Sequence, residues 1–554
     1  MTEDVSREVV QTDPRRHDLD ALRAFAMLLG IALHAALSFM DSPWMVQDQS
    51  RSPWFGLFVM AVHGFRMPLF FLLSGYFTMM LCRKRGLQGL LRHRAKRIAL
   101  PLVLGCLIIV PLILLIVNWA ITSSTASTES DPGSPPGLVA NADIWTAAKS
   151  GDIAAVRQFI ADGASLDGHD PNFGVTPLGM AALGNQPEVI GILLDAGADP
   201  SGRYQDQNTP LHTSAFFGYD EVAMKLLDAG GDFKARNAQS ETPGDSMGHG
   251  KATTEFIAGI LKMTIDFEAV EAGRDRIRQW VEEEPPSQFS VVMQWLLFFP
   301  FFQHLWFLWF LCWLVTGFAL VTLASRLVPR LALPSILIAT PLCLLWLVPL
   351  TMVTQSVMNS GGTIPGFGPD TSAGILPIPH VLAYYAIFFG FGALMYNVPG
   401  AADRLGQSWW IQLPLAALIF PFALGLAIQA EWTQELIRNE YLFRVLATLG
   451  QVLYAWLMIF GLMGLFEKVL SRERPQVRYI SDSSYWLYLV HLPLIIAGQV
   501  LLRNVNLPAF VKFSLLLGVT LVILLGSYQF LVRYSWVGRL LNGPRARPPV
   551  VGVE

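Results

Sequence analysis

An arginine and a histidine, Arg23 and His34, lie eleven residues apart in the first long apolar segment of the chain. In an α-helix this spacing covers about three turns, so both side chains share one face and lie about 16 Å apart along the axis. Ionisable groups inside a membrane span are rare, usually face the interior of a helix bundle, and mark functional sites. One helix face therefore offers a cation at one end and a titratable nitrogen at the other.

Other ionisable side chains lie in or beside the apolar segments. For three of them, His63, His380 and His491, the alternative to a functional role is a structural one, as an interfacial histidine that is hydrogen-bonded to a neighbouring helix. No pair of these histidines has the i,i+4 spacing on one helix that would support metal binding, so we expect no metal site. The candidates besides the first pair are Asp20, His63, Arg66, His304, His380 and His491.

The composition indicates an integral membrane protein. Of 554 residues, 53% are hydrophobic and only 15% are charged, and the mean hydropathy is +0.44, whereas soluble domains are about 25% charged. Apolar runs long enough to cross about 30 Å of hydrocarbon as helices recur along the chain. We predict an all-α, polytopic bundle of about ten spans, at 19–40, 55–82, 98–120, 291–324, 331–355, 380–397, 411–429, 442–466, 484–502 and 511–533.

The positions of Lys and Arg in the short loops orient this bundle. The densest group of cations, at 83–97 between spans two and three, is typical of a cytoplasmic loop. The alternative is a specific contact with an anion or a lipid phosphate. By the same rule both termini are cytoplasmic. The first apolar run is too long for a cleavable signal peptide, so we expect span one to act as its own insertion signal. The net charge of −3 gives no overall basic character, and we expect no nucleic-acid partner.

Between spans three and four lies a segment that repeats itself. The motif Thr-Pro begins at Thr176, Thr209 and Thr242, which are 33 residues apart. The period and the motif are those of ankyrin repeats, helix pairs that bury their apolar faces only against one another. The repeats predict a soluble domain that binds a protein partner, holds a glycan near the membrane site, or acts as a spacer. By the orientation above it lies outside the cytoplasm.

These observations divide the chain into five parts. Two membrane domains flank the repeats, and a linker rich in Ser, Thr, Pro and Gly precedes them. We predict a first membrane part at 1–120, the linker at 121–137, the ankyrin repeats at 138–264, a connecting helix at 265–290, and a second membrane part at 291–554.

Four motifs occur in the two membrane parts in a fixed order: RHDLDALRAFA at 16–26 followed by His34, MPLFFLLSGY at 67–76, RAKR at 94–97, and YWLYLVH at 485–491. Together they resemble the membrane-bound acyltransferase-3 family, and the resemblance covers roughly 15–120 and 288–540. The segment HLWFL at 304–308 looks most like the family's glucan biosynthesis protein C branch, which adds succinyl groups to periplasmic glucans.

The resemblance implies transfer of an acetyl or succinyl group from cytoplasmic acyl-coenzyme A to a hydroxyl group of an external carbohydrate, across the inner membrane. A neutral histidine suits this reaction because it can take the hydroxyl proton near pH 7. His34 is the candidate base or transient acyl carrier, and His304 would hold or activate the acceptor. Arg66 would bind a carboxylate or stabilise the oxyanion.

The remaining candidates are assigned around that reaction. Arg23, Arg94 and Arg97 would contact the donor, and Asp20 is grouped with the catalytic residues. His63, His380 and His491 are assigned with Arg66 to substrate binding. Two other functions stay open: a transporter or flippase for a glycan or lipid-linked intermediate, with the histidines as proton relays, and a membrane scaffold that presents the ankyrin repeats to a partner.

Overall fold

The structure is a computed structural model, and its described part forms helices and loops with no strand. The all-α class is therefore confirmed. The described residues are 16–40, 44–125, 143–170, 174–204, 207–237, 241–261, 263–281, 292–293, 295–297, 299–325, 333–358 and 367–543. The predicted linker at 121–137 falls mostly outside them.

The helices of the first membrane part and of the repeats are α1 (His17–Ala36), α2 (Pro53–Arg94), α3 (Leu100–Thr125), α4 (Ile144–Ser150), α5 (Ile153–Ala161), α6 (Pro177–Leu183), α7 (Pro187–Asp195), α8 (Pro210–Phe217), α9 (Asp220–Asp228), α10 (Pro243–Ser246), α11 (Lys251–Ile260) and α12 (Phe267–Val281). Those of the second membrane part are α13 (Trp306–Ala324), α14 (Ile336–Ala339), α15 (Leu344–Gln355), α16 (Pro379–Tyr396), α17 (Ala401–Gly406), α18 (Trp409–Ala427), α19 (Glu431–Leu436), α20 (Glu440–Leu470), α21 (Pro475–Leu502), α22 (Ala509–Ser527) and α23 (Trp536–Asn542).

Eight helical runs among the described residues are long and apolar enough to cross a membrane, which confirms a polytopic helix bundle. The count differs from the ten predicted spans for two reasons. The predicted spans 55–82 and 98–120 lie in one continuous helical run, Pro53–Trp119, and the predicted span 331–355 contains only a shorter apolar run, Pro341–Gln355.

The run of 67 residues, Pro53–Trp119, folds back on itself at Gly86. Arg94 donates a hydrogen bond of 2.7 Å to the hydroxyl of Thr78, although sixteen residues of straight helix would separate the two by about 24 Å. Gly86 has a φ of +66°, a left-handed conformation that suits glycine. The run therefore has two arms, in line with the two apolar segments of the sequence.

Glycines let the membrane helices approach one another closely. A Cβ at Gly75 on α2 would lie 1.8 Å from the backbone oxygen of Phe389 on α16, and a Cβ at Gly392 would lie 2.0 Å from the backbone oxygen of Leu72. Small residues at such contacts are typical of membrane bundles, in which packing drives association. The close contact of α2 with α16 fixes the wall of the bundle that carries Arg66.

The repeats form helix pairs whose first helices are capped by the repeated threonines. Thr176 accepts a hydrogen bond from the amide of Gly179, and Thr209 forms a capping box with His212. The Nε2 atom of His212 also lies 3.0 Å from the backbone oxygen of Glu241, in the next repeat. This histidine therefore has a structural role that joins two repeats.

The helix α12, which the sequence analysis assigned to a connection, packs on the repeats. Its Ile277 belongs to the same apolar core as the repeat helices. The side chain of Arg274 is fully buried and donates hydrogen bonds to the backbone oxygens of Phe216 and His249 and to the hydroxyl of Thr254. The helix thereby covers the end of the stack, which would otherwise expose its apolar face.

We expect Arg274→Met to destabilise the stack by about 2–3 kcal/mol, because the substitution leaves buried carbonyl groups without donors. Amide hydrogen exchange of the full-length protein in detergent measures this as faster exchange in α8 and α9. The matched control is Arg276→Met on the same helix, since Arg276 is exposed and pairs with Asp220 at the surface. Equal effects of the two substitutions would contradict the assignment.

Candidate functional site

Four ionisable residues that the sequence analysis singled out meet around one small cavity in the bundle. They come from α1, α2, the 3-10 turn Gln303–Leu305 before α13, and α21. The cavity has a volume of about 40 Å³, enough for water-sized groups. Its lining residues are Met27, Gly30, His34, Arg66, Met67, Phe70, His304, Trp306, Phe307, Tyr488 and His491.

The imidazole of His34 is held by residues of α21. Its Nδ1 lies 3.0 Å from Nε2 of His491, and the two ring centroids are 5.0 Å apart. Gln499, two turns further along α21, donates a hydrogen bond of 3.0 Å to the backbone oxygen of His34. The same amide accepts a hydrogen bond of 2.9 Å from the indole of Trp44. Both the ring and the backbone of His34 are therefore fixed against α21.

The directions of these hydrogen bonds assign the tautomer of His34. Nδ1 of His491 lies 2.7 Å from the backbone oxygen of Tyr488 and 3.2 Å from that of Leu487. A carbonyl oxygen only accepts, so this Nδ1 carries the hydrogen, and Nε2 of a neutral His491 is an acceptor. His34 must then donate from Nδ1. Its Nε2 is then the bare nitrogen: the ring's other partner among the described residues is the backbone oxygen of Gly30, which only accepts.

The second histidine of the cavity, His304, has the opposite tautomer. Its Nε2 lies 3.2 Å from the backbone oxygen of Leu489, which again only accepts. Its Nδ1 is therefore the bare nitrogen, and this atom is buried without a partner in the described part of the chain. The hydroxyl of Tyr488 holds the backbone of this turn by donating a hydrogen bond of 2.7 Å to the backbone oxygen of His304.

The oxygen of Leu489 is open to His304 because of a proline. In a regular helix that oxygen would accept from the amide of the residue four positions later, and that residue is Pro493, which has no N–H. Pro493 lies two residues after His491 in the sequence, so this signal was available to sequence reasoning but was missed. The same holds for Gly30, which admits Arg66.

Arg66 places a guanidinium in the cavity without a counter-ion. Within the described residues it forms no ion pair and no hydrogen bond, and its Nε is buried without a partner. A Cβ at Gly30 would lie only 1.8 Å from its Nη1 atom, so the guanidinium rests directly on the backbone of α1. A buried cation without a counter-ion is costly unless an anion joins it. The site is therefore built to receive negative charge.

A larger cavity of about 410 Å³ lies beside the other end of α1. Arg23 lies 3.4 Å from Asp20 there, and Arg94 is held by Thr78. Its basic lining suits an anionic ligand. The lining residues are Arg16, Asp20, Arg23, Tyr76, Phe77, Met80, Leu81, Lys84, His93 and Arg94.

Arg16 anchors this end of α1. Its guanidinium lies 2.7 Å from both Asp18 and Asp403, which ties α1 to α17. Burial by itself lowers the pKa of Arg16, but the hydrogen bond to Asp18 and the charge of Asp403 raise it above its ordinary value. Arg16 is therefore a permanent cation with carboxylate partners, in contrast to Arg66.

Three of the predicted site residues line neither of these two cavities. His63 is buried, and its Nε2 lies 2.9 Å from the backbone oxygen of Pro369, so it holds the loop before α16. His380 is partly exposed at the start of α16. Arg97 lies in the π-helical turn Ala95–Ala99, where its backbone oxygen accepts from Tyr485. The structure brings the other predicted residues together in two groups, one in each cavity.

Two family models match the chain. One, described as an acyltransferase domain, matches 16–146 and 270–529, which is more than half of the chain. The chain belongs to the acyltransferase-3 family. The second, ankyrin repeats (3 copies), matches 144–237, so the repeats interrupt the acyltransferase domain. The predicted family and the predicted insertion are both confirmed.

Relatives of this acyltransferase-3 chain include glucans biosynthesis protein C of several Salmonella. Those of Salmonella paratyphi B, Salmonella heidelberg and Salmonella agona are each 39% identical to it over 89 residues, which is 16% of this chain. The match spans only 23% of the length of these relatives.

We expect Gly30→Ala to displace the Arg66 guanidinium and to lower acyl transfer by about 100-fold, the scale for loss of one preorganised donor. The same change replaces a glycine in a helix interior, which by itself favours folding. We therefore expect activity to fall while the stability of the fold is kept. The control is Gly390→Ala on α16, where a Cβ meets nothing within 4 Å. Wild-type transfer by a folded Gly30→Ala protein would show that the reaction does not need the Arg66 guanidinium to lie against the backbone at Gly30.

Proposed function

We propose that the protein transfers an acyl group, acetyl or succinyl, from cytoplasmic acyl-coenzyme A to a hydroxyl group of a glycan on the opposite side of the membrane. The observation that carries this proposal is the 3.0 Å contact of His34 Nδ1 with His491, which assigns the free lone pair to Nε2 of His34. The same cavity holds Arg66, a cation that forms no ion pair within the described residues. A base or nucleophile needs a free lone pair, and a developing oxyanion needs a nearby positive charge.

The donor would enter from the larger cavity. The phosphates of coenzyme A would meet Arg23 and Arg94, both of which line that cavity. From Arg23, α1 leads to His34 over about 16 Å, a path along which the extended pantetheine arm would carry the thioester. Asp20 lies beside Arg23 and would orient it rather than contact the donor. Arg97, outside the cavity, would contribute only at longer range.

In the base pathway, Nε2 of His34 takes the proton of the acceptor hydroxyl, and the oxygen of that hydroxyl attacks the thioester carbonyl carbon. Arg66 stabilises the negative oxygen of the tetrahedral intermediate. The C–S bond then breaks, coenzyme A leaves as a thiolate, and the imidazolium returns the proton to the sulfur. The acyl group ends as an ester on the acceptor. His304, with its bare Nδ1, would accept a hydrogen bond from the acceptor.

In the carrier pathway, the same Nε2 attacks the thioester carbon, the C–S bond breaks, coenzyme A leaves as a thiolate, and an acyl-imidazolium forms because Nδ1 keeps its hydrogen. The acceptor hydroxyl then attacks this carbonyl while its proton would pass to the bare Nδ1 of His304 and from there to the thiolate. The C–N bond breaks, and neutral His34 is regenerated. Both pathways use the same atom. Acid quenching after mixing with labelled donor alone distinguishes them, because only the carrier pathway leaves label on the protein and releases coenzyme A in a burst.

The glycan acceptor is supported by the similarity to glucans biosynthesis protein C. The repeats support a protein partner for the inserted domain, and the charge bias of the loops supports both termini in the cytoplasm. By that topology the ankyrin domain lies outside the cytoplasm, on the acceptor side. There it would bind a protein that delivers or carries the acceptor.

We expect His34→Ala to lower acyl transfer by about 10²–10⁴-fold, the usual contribution of a general base. The assay is label transfer from acyl-coenzyme A to glycan by the purified protein in proteoliposomes, together with release of coenzyme A. The matched control is His169→Ala in the ankyrin domain, an exposed histidine. Wild-type transfer by a normally folded His34→Ala protein would remove His34 from the mechanism.

The topology makes a separate prediction for Ser165, an exposed residue of the repeats. With the four native cysteines replaced, a single Ser165→Cys variant should react with a membrane-impermeant thiol reagent on cells whose outer barrier has been opened and whose inner membrane is intact. The control is the same reaction after lysis, which shows that the site is accessible. Labelling that occurs only after lysis would place the repeats in the cytoplasm.

A further inference from the structure

We infer that α21 sets the tautomers of both cavity histidines, with His491 and Pro493 as positioning residues that keep Nε2 of His34 and Nδ1 of His304 free of hydrogen. This inference rests on the proposed function for its catalytic meaning, but the tautomers themselves are measurable without substrate. Neither His491 nor Pro493 needs to contact the reacting atoms to act in this way.

The first part of the device is a one-way relay of hydrogen bonds. It begins at the backbone oxygen of Tyr488, which lies 2.7 Å from Nδ1 of His491. Because a carbonyl accepts and never donates, each following bond in the relay has one allowed direction. The bond of 3.0 Å between His491 and His34 therefore runs from His34 Nδ1 to His491 Nε2. The reactive nitrogen is Nε2 of His34 in either pathway.

The relay also suits the charged state of His34. When Nε2 takes a proton, Nδ1–H stays donated to His491, so the ring keeps its orientation through the reaction. In many hydrolases a carboxylate does this for the catalytic histidine. Here a neutral imidazole does it, which avoids placing a second charge in the apolar interior of the bundle. The neutral partner also leaves Arg66 free for the substrate.

The second part of the device depends on Pro493. By withholding an amide hydrogen, it leaves the Leu489 oxygen available to Nε2 of His304 at 3.2 Å. An amide at this position would compete for the same oxygen. The bond that holds the ring of His304 at Leu489 would weaken, and the backbone oxygen of Tyr488 would be the ring's remaining partner. One short stretch of α21 thus orients two imidazoles in opposite tautomers.

Three variants test the inference. His491→Leu removes the side-chain acceptor for His34, and we expect kcat to fall by about 10–100-fold, the scale for loss of the outer partner that orients a metal-bound histidine, with KM for acyl-coenzyme A little changed. His491→Gln keeps an acceptor oxygen, so it should restore most of that loss. Pro493→Ala returns an amide to the Leu489 oxygen, so it should lower kcat although it removes a helix-breaking residue.

The matched control is Gln412→Leu, which removes a buried polar side chain on α18 that donates to the Leu405 oxygen and lines neither cavity. It should leave kcat unchanged. If His491→Leu does not fold, His491→Gln and Pro493→Ala decide the question, since each retains a side chain of compatible size.

The tautomer of each histidine is measured by ¹⁵N NMR of the histidine-labelled, substrate-free protein in lipid. A merely structural role of His491 or Pro493 would leave these tautomers unchanged. We expect His34 with hydrogen on Nδ1 in the wild type, a mixture of tautomers in His491→Leu, and a changed His304 signal only in Pro493→Ala. If His34→Ala keeps full activity, the proposed function fails. If His34→Ala is inactive while His491→Leu keeps wild-type kcat and an unchanged His34 tautomer, the positioning role fails and the proposed function stands.

Discussion

The hydrogen bond between Nδ1 of His34 and Nε2 of His491 is the interaction on which the site depends. Inside a membrane bundle, a polar group without a partner costs far more than in water, so nearly all such groups must be satisfied internally. The carbonyls of α21 satisfy His491, and His491 satisfies one nitrogen of His34. Among the described lining residues of the small cavity, Nε of Arg66 and Nδ1 of His304 are left without partners.

Backbone features as much as side chains create this site. Gly30 removes the side chain that would displace Arg66, and Pro493 removes the amide that would occupy the Leu489 oxygen. Both residues act by what they lack. Close packing of α2 on α16 at Gly75 fixes the position of the wall that carries Arg66. Substitutions at such positions would change the chemistry of the site without touching an ionisable group.

Much of the fold follows from periodicity. The 33-residue repeat predicts the ankyrin helix pairs, and the eleven-residue spacing predicts that α1 reaches from the basic cavity near Arg23 to the small cavity at His34. The two apolar segments at 55–82 and 98–120 predict a reversal between them, but its position at Gly86 depends on one left-handed backbone conformation that the sequence does not specify. The packing of α12 on the repeats depends on Arg274, a charged residue that reads as solvent-exposed in the sequence.

The sequence predicted which ionisable residues are candidates for the small cavity, but not which of their atoms are free. His34, Arg66, His304 and His491 stand out as ionisable groups in apolar segments, and they meet in one cavity. His63 has the same sequence character, yet it binds the backbone oxygen of Pro369 instead. Which nitrogen of a histidine is free depends on the neighbouring helices, and one sequence does not specify their contacts.

Transfer of the acyl group through His34 from one face of the membrane to the other, as proposed above, is tested most directly in sealed inside-out vesicles. Labelled acyl-coenzyme A is supplied outside, and the glycan acceptor is trapped in the lumen. We expect label in the luminal glycan with the wild-type protein and none with His34→Ala. Transfer that occurs only when donor and acceptor are on the same side of the membrane would contradict the proposal.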